Sequence, residues 1–372
     1  MRILHVISNL MSGGAESMLA KVIEALPGPD FEHVVVTFIE GGLFAERLAG
    51  RGVRIIGLGQ ATGHPARALL MLPGLRRIVE EINPDVVQGW MYHGNLAASA
   101  TSGGRPVVWN VRQRLERLVD NAPATRLAIL GSLLWRRNVR AVIYNSERAA
   151  AEHERRWYPA AKRVLIPNGF DLASFWPDPS AGSALRREFG LPEDALLVGR
   201  VARDDAIKDT PTLIKAFTNL TAKGAYLVLV GRGMTAENTA LDELLRAANI
   251  KERVLLIGER PDIPRLNAAF DIAVLSSSHG EGFPNVVCEA MSAGTPVVAT
   301  DVGECSDIID DVARIVPVRD PVALSVAMAR ILALPPSERA LLGLRDRCRV
   351  SEFYDIAAIA QSYAGLWRLI AA

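Results

Sequence analysis

Cysteine is scarce in this chain: Cys288, Cys305 and Cys348 are the only three in 372 residues. None stands at metal-ligand spacing from another, which sets aside a zinc site and a disulfide scaffold and implies a reducing compartment. Long apolar runs are missing too. No stretch reaches the ~18–20 residues that a bilayer span needs. The opening apolar residues, 1–7, are too few for a signal peptide and lack a cleavage site. They read as a first strand, and the expected location is the cytoplasm. Several signature motifs are absent as well: there is no G-x-G-x-x-G, no P-loop and no G-x-S-x-G elbow. No Asp-x-Asp closes an apolar strand, and Asp204-Asp205 and Asp310-Asp311 are adjacent rather than spaced. Metal dependence is therefore disfavoured, and no cofactor is expected.

What is present is core material. With 49% hydrophobic residues, 22% charged residues and a net charge of +1, the chain is a soluble globular protein, too long for one ordinary domain. Such a balance gives no case for a nucleic-acid partner. The charge is unevenly spread, however. Residues 1–165 carry 21 Lys and Arg against 14 Asp and Glu, and the remainder carries 21 against 27. A basic first half suits an acidic acceptor or an anionic membrane surface, or reflects ordinary surface variation. The apolar segment 127–135, flanked by Arg126, Arg136, Arg137 and Arg140, leaves two readings open. It docks peripherally on a membrane, or it is a core helix with solvated arginines.

Short apolar runs alternate with amphipathic stretches along the whole chain. Strands are predicted at 3–7, 33–38, 53–56, 86–88, 107–111, 142–145 and 164–166, then at 196–201, 226–230, 254–257, 272–275 and 296–299. Helical patterns between them include 16–26, 69–82 and 147–157. This alternation predicts an α/β protein of two doubly wound domains facing across a cleft. Turn formers over 167–178 predict a hinge between domains 1–166 and 179–350, and 351–372 contains a closing helix.

In open α/β sheets, ligands bind beyond the carboxyl ends of the strands. Polar residues out of keeping with a core fall there repeatedly: Gly13-Gly14-Ala15-Glu16, Trp90-Met91-Tyr92-His93, Asn110 to Arg112, Arg203 with Lys208, and Glu281. The richest stretch runs from His279 to Met291. A helix is predicted from Pro284, whose fixed φ suits a first helical position, to a stop at Gly294. Its start suits a phosphate, and Glu281 and Glu289 on either side suit sugar hydroxyls. Arg203 and Lys208 are placed to neutralise a diphosphate leaving group. A sugar joined to a nucleoside diphosphate has these needs. The same two carboxylates also fit the acid and nucleophile of a glycoside hydrolase, ~5–9 Å apart. A non-catalytic sugar-nucleotide binder is the third reading.

The sequence resembles a known family over essentially its whole length: the retaining glycosyltransferases of family four, which adopt the two-domain GT-B fold. Glu281 and Glu289 stand in that family's Glu-x7-Glu pattern, supported by Gly13-Gly14-Ala15-Glu16, Arg203-x4-Lys208 and Pro167-Asn168-Gly169-Phe170-Asp171. The resemblance implies a metal-independent hexosyltransferase using a nucleotide-sugar donor, most often a UDP-sugar. Its acceptor would be a glycan or lipid-linked saccharide of cell-surface polysaccharide assembly. By the same resemblance, Glu281 with Gly282, Phe283, Pro284 and Asn285 would hold the transferred sugar, and Glu289 the ribose. Arg203 and Lys208 would meet the departing diphosphate, with Gly13 and Gly14 near its oxygens. His93 would reach a sugar hydroxyl near the reacting carbon, and Arg260 the base. The closing helix would cross back to the first domain. Two departures from the family pattern are Cys305-Ser306-Asp307 and Ala313-Arg314, and the polar segment 113–124 matches nothing recognisable.

Overall fold

The computed structural model describes residues 1–11, 13–59, 71–222 and 224–372. The chain forms two compact units, residues 1–169 with 356–372 and residues 170–355.

The first unit holds a seven-stranded sheet. Its strands are β1 (Arg2–Ile7), β2 (Glu32–Thr37), β3 (Arg54–Gly57), β4 (Val86–Trp90), β5 (Val107–Val111), β6 (Ala141–Tyr144) and β7 (Arg163–Leu165). All pair in parallel in the order β3-β2-β1-β4-β5-β6-β7. Helices cover both faces, so β4, β5 and β6 are buried along their whole length. The chain reverses its direction of travel across the sheet between β1 and β4. Of the predicted helical stretch 69–82, residues 69 and 70 lie outside the described residues, and Leu72–Ile82 is a helix.

The last helix, Ile356–Ala371, returns to this unit. Ile359, Ala360, Tyr363, Ala364 and Trp367 are buried in the same core as Ile3, Ile7 and Val35. Two hydrogen bonds fix its rotation. The Trp367 indole donates to Gln88 Oε1 at 2.6 Å, and Asn110 donates to the Tyr363 hydroxyl at 2.8 Å. Buried polar groups on β4 and β5 thus find their partners on the closing helix.

The second unit holds six parallel strands: β8 (Leu196–Val201), β9 (Ala225–Val230), β10 (Val254–Gly258), β11 (Ile272–Leu275), β12 (Val297–Thr300) and β13 (Ile315–Val316). Their order is β10-β9-β8-β11-β12-β13, with the reversal between β8 and β11. The segment read as a hinge is largely held within this unit. Phe170 is fully buried, and Arg347 donates to the carbonyls of Phe175 at 2.5 Å and Leu172 at 2.9 Å. The Arg314 departure also has a structural reason. Its buried guanidinium makes a two-pronged bond to Asp346, at 2.6 and 2.9 Å, tying the turn before β13 to the Pro336–Phe353 helix.

Candidate active site

In each unit, most of the segments predicted to carry function leave the carboxyl ends of the two strands that flank the reversal, where open α/β sheets leave a crevice; Asn110 to Arg112 at the end of β5 and Arg260 after β10 do not. Among the described residues, no three His, Cys, Asp or Glu side chains are grouped to hold a metal ion.

In the second unit these loops follow β8 and β11. Beyond β8, Asp205 caps a short turn, Ala206–Lys208, by accepting from the Ile207 N–H at 3.0 Å. Asp209, at φ +47, then caps the Thr210–Thr218 helix through Thr212. These two Asp residues pin Lys208 between them, and Ser276 and Ser278 anchor the same turn from β11. The Ser276 hydroxyl donates to Lys208 O at 2.8 Å, and the Ser278 N–H to Ile207 O at 2.8 Å. Lys208 Nζ then lies 2.5 Å from Glu281 Oε1, which also accepts from the Ser277 hydroxyl at 2.7 Å. Both partners are largely buried, with side-chain exposures of 18% and 13%. The sequence separates Lys208 and Glu281 by 73 positions, and the β8–β11 junction brings them into contact.

Arg203 follows the same strand but is turned toward solvent, 54% exposed, and forks onto Asp205 Oδ2 at 2.7 and 2.9 Å. The Ile207 N–H and, after it, that pairing hold the Asp205 carboxyl below its usual range. Arg260 is committed elsewhere: it bonds Asp262 at 2.8 and 2.9 Å and Glu188 at 2.8 Å. These carboxylates push the guanidinium above its ordinary value.

The helix after Glu281 begins one residue later than predicted. It spans Asn285–Ser292, and Pro284, at φ −77 and ψ 91, is its extended cap instead of its first helical residue. The Val287 N–H closes back on Pro284 O at 3.0 Å, a tight first turn. Val287, Cys288, Ala290 and Met291 are buried, whereas Asn285 and Glu289, one turn apart, are half-buried on the open face. Glu289 is therefore partly open to solvent rather than sealed among the apolar side chains beside it. The Phe283 ring faces the core, against Phe170 and Tyr354, which leaves only its backbone toward the crevice. Gly282 and Glu281 are covered from β12 by Gly303. A Cβ there would come within 2.4 Å of Gly282 O and 2.9 Å of Glu281 O, and its φ is +55. Only glycine fits both constraints.

In the first unit, Trp90 ends β4 and Met91, Tyr92, His93 and Gly94 open a helix, Met91–Thr101. Met91, at φ +59, reverses the chain directly from β4 into it. Gly94 permits close seating on β1, where a Cβ would lie 2.3 Å from Val6 O. His93 is half-buried in the first turn, and burial lowers its pKa, so the ring is neutral at pH 7. Trp90, Tyr92, Asn110 and Arg112 serve the interior instead of a ligand. Trp90 donates to His5 at 3.2 Å and Tyr92 meets His153 at 2.9 Å. Arg112 holds the carbonyls of Ile166 and Pro167 where the chain leaves this unit. Gly13 caps the Gly14–Ala25 helix in extended conformation. The Glu16 carboxylate folds over it, 2.3 Å from where a Cβ would stand, so an anion at this helix start has to displace it.

Two doubly wound domains, each with its polar loops at the strand reversal, define an α/β protein of the GT-B class. Solved structures agree on the fold. Anabaena Alr3699/HepE in complex with UDP matches with a TM-score of 0.84 at 23% identity, covering 98% of this chain and 99% of that one. Sucrose-phosphate synthase from Thermosynechococcus elongatus matches with a TM-score of 0.80 at 22% identity, over 99% of each. Residues 12–174 match the family model Glycosyltransferase Family 4, and residues 192–333 match Glycosyl transferases group 1. The chain belongs to the family-four glycosyltransferases. Among curated relatives, the putative glycosyltransferase EpsF of Bacillus subtilis is 27% identical, covering 81% of this chain and 79% of its own length. The lipopolysaccharide core biosynthesis mannosyltransferase LpcC of Rhizobium leguminosarum is 31% identical, over 60% and 63%.

Proposed function

We propose that this glycosyltransferase moves a hexose from a UDP-sugar, with retention of configuration and without a divalent ion. The acceptor is a glycan or lipid-linked saccharide of cell-surface polysaccharide assembly. The observation that carries the reading is the Lys208–Glu281 contact at the β8–β11 junction. Lys208 supplies positive charge for the departing diphosphate, and Arg203 joins it by leaving Asp205. Glu281 and the backbone from Gly282 to Asn285 hold the sugar, and Glu289 takes the ribose hydroxyls. His93 is assigned to a sugar hydroxyl and the Gly13-Gly14 turn to diphosphate oxygens; Arg260, once released from its carboxylates, is assigned to the base. The acceptor hydroxyl attacks the anomeric carbon on the face that the UDP leaves, its proton passing to the departing phosphate oxygen. UDP and UDP-glucose complexes of the Anabaena neighbour favour uridine.

Thermal-shift screening against UDP-, GDP- and ADP-sugars tests the donor, because a ligand bound only by the folded state raises the melting temperature. Product NMR of the anomeric proton then tests retention. No shift with any UDP-sugar, or an inverted product, removes the corresponding part of the reading. Hydrolysis of a simple glycoside without nucleotide would favour the hydrolase instead. The geometry disfavours that alternative, since Glu281 Oε1 already accepts from two donors.

The Pro123–Ser132 helix supports peripheral contact with an anionic membrane. Ala128, Ile129 and Ser132 face the core, but Leu127, Leu130 and Leu134 are 64%, 45% and 81% exposed. Leu127 and Leu130 lie at i and i+3 on the outer face of this helix, and Leu134 follows in the 3-10 turn Leu133–Trp135. Flotation with phosphatidylglycerol vesicles, weakened by Leu127→Ser with Leu134→Ser, is the expected result.

A further inference from the structure

The positive excess of the first 165 residues is not used by the groups assigned to the reaction. Part of it lines a cavity of about 710 Å³ in the first domain. This cavity lies at the amino ends of three neighbouring strands. Arg105 leads toward β5, Arg140 into β6 and Lys162 into β7. The turn carrying Gly13 and the helix start carrying His93 leave the carboxyl ends of β1 and β4, on the opposite edge of the sheet. Five-residue strands at ~3.3 Å per residue put the two edges about 16 Å apart.

Five cations line the cavity, and among the described residues no carboxylate does. Three are already engaged. Arg76 pairs with Glu80 at 3.1 Å, and Arg105 donates to Asn83 Oδ1 at 2.9 Å. Lys162 donates to the carbonyl of Arg137 at 2.7 Å. Burial and the neighbouring Arg140 together pull the Lys162 ammonium below the usual lysine range. Arg137 and Arg140 themselves are exposed, and their guanidiniums have no acceptor among the described residues. Gly103 and Gly104, at φ +61 and +88, leave the facing wall without side chains. Arg137 and Arg140, like charges with no counter-charge of their own, repel one another and Lys162, and an anion relieves that repulsion.

We infer that this cavity is a second anion site, one that takes a phosphate group on Arg137 and Arg140. Guanidinium forks match phosphate oxygens two at a time, which suits an open, polar cavity better than an apolar ligand would. The phosphate comes either free in solution or as the headgroup of an anionic lipid. The lipid source shares the membrane reading above, whereas the free source is independent of it.

The test separates this site from the donor site by using Lys208→Ala as the background. Inorganic phosphate is titrated calorimetrically into that protein, with and without Arg137→Gln and Arg140→Gln. Flotation with phosphatidylglycerol or phosphatidylcholine vesicles runs alongside. The expected result is saturable binding of phosphate, of phosphatidylglycerol vesicles, or of both, weakened about tenfold or more by the double substitution. Arg136→Gln, outside the cavity, should leave binding intact, which separates a site from general charge. Donor turnover and melting temperature of Arg137→Gln/Arg140→Gln in the otherwise native chain should be unchanged. Phosphate binding alone assigns the free source; flotation alone assigns the lipid. Binding of neither, equal loss with Arg136→Gln, or binding indifferent to the double substitution overturns the site. Transferase assays on the native chain report on the proposed reaction separately.

Discussion

Lys208 Nζ and Glu281 Oε1 meet at 2.5 Å, although one follows β8 and the other β11. A cation held this way, half-shielded and pinned by Asp205, Asp209 and Ser276, is oriented before substrate arrives. Preorganised charge of this kind costs little reorganisation during reaction. Lys208→Ala and Glu281→Ala should each lower turnover by ~10²-fold or more. The double substitution should cost scarcely more than either alone, because residues acting as a unit are not additive. Near-native turnover in either single variant would contradict the assigned roles, and strict additivity would contradict the coupling.

Gly303 offers a test of the same site from its covering side. A methyl group there would press on the carbonyls of Gly282 and Glu281 while residue 303 remains at φ +55. Gly303→Ala should therefore lower turnover about tenfold or more, through a shift of the loop that holds Glu281. Circular dichroism and a melting curve would show whether the second domain stays folded. Unchanged kcat and KM in a folded variant would mean that the loop tolerates the shift.

Charge on the leaving diphosphate is assigned to groups of the protein, chiefly Lys208 and Arg203 with the Gly13-Gly14 turn beside its oxygens, so chelation should leave transfer rates unchanged. The measurement is initial rate with and without excess chelator, followed by added Mg²⁺ or Mn²⁺. Complete loss with recovery on metal addition would remove the metal-free mechanism.

How much of this was readable beforehand depends on the distance over which each signal acts. Parallel strands, buried or at the edge, are short apolar runs here, so twelve of them stood out within a residue or two of their ends; the two-residue β13 left no such run. Loops at strand ends were readable for the same reason, and with them Lys208 and Glu281. Their contact was not, since it depends on β8 lying beside β11. Polar residues at strand ends were harder to sort. Asn110 looks like a ligand contact, yet its partner is Tyr363, 253 positions away. No local pattern distinguishes a polar group aimed at substrate from one aimed at a distant helix. Ser277 and Gly303 were similarly silent, because their roles are set by atoms of other loops.

The closing helix rests on a pair of neutral histidines, and this gives the fold an acid limit. Trp90 donates to His5 Nδ1, which leaves His5 Nε2 to donate to His33 Nδ1 at 3.1 Å. Trp367 stands edge-on to both rings at 5.7 Å, and Phe31 stacks on His33. Burial lowers the His5 pKa well below its usual value, with His33 adding to the effect, and burial lowers His33 to about 4, helped by the amino terminus. His153, beside Tyr92, is also lowered to about 4 by burial. Unfolded histidines take protons near pH 6.5, before the folded ones do, so the unfolded state binds more protons below that pH. Stability is thus full above pH 6.5 and falls as the pH drops toward 4, with His33 alone accounting for about 3 kcal/mol at the low end. Urea midpoints between pH 7.5 and 4.5 should show this decline. His33→Asn, which keeps an acceptor for His5 but cannot titrate, should flatten the slope by roughly one proton's worth between its two pKa values. An unchanged slope would locate the acid sensitivity elsewhere, with His153→Asn the next variant to measure.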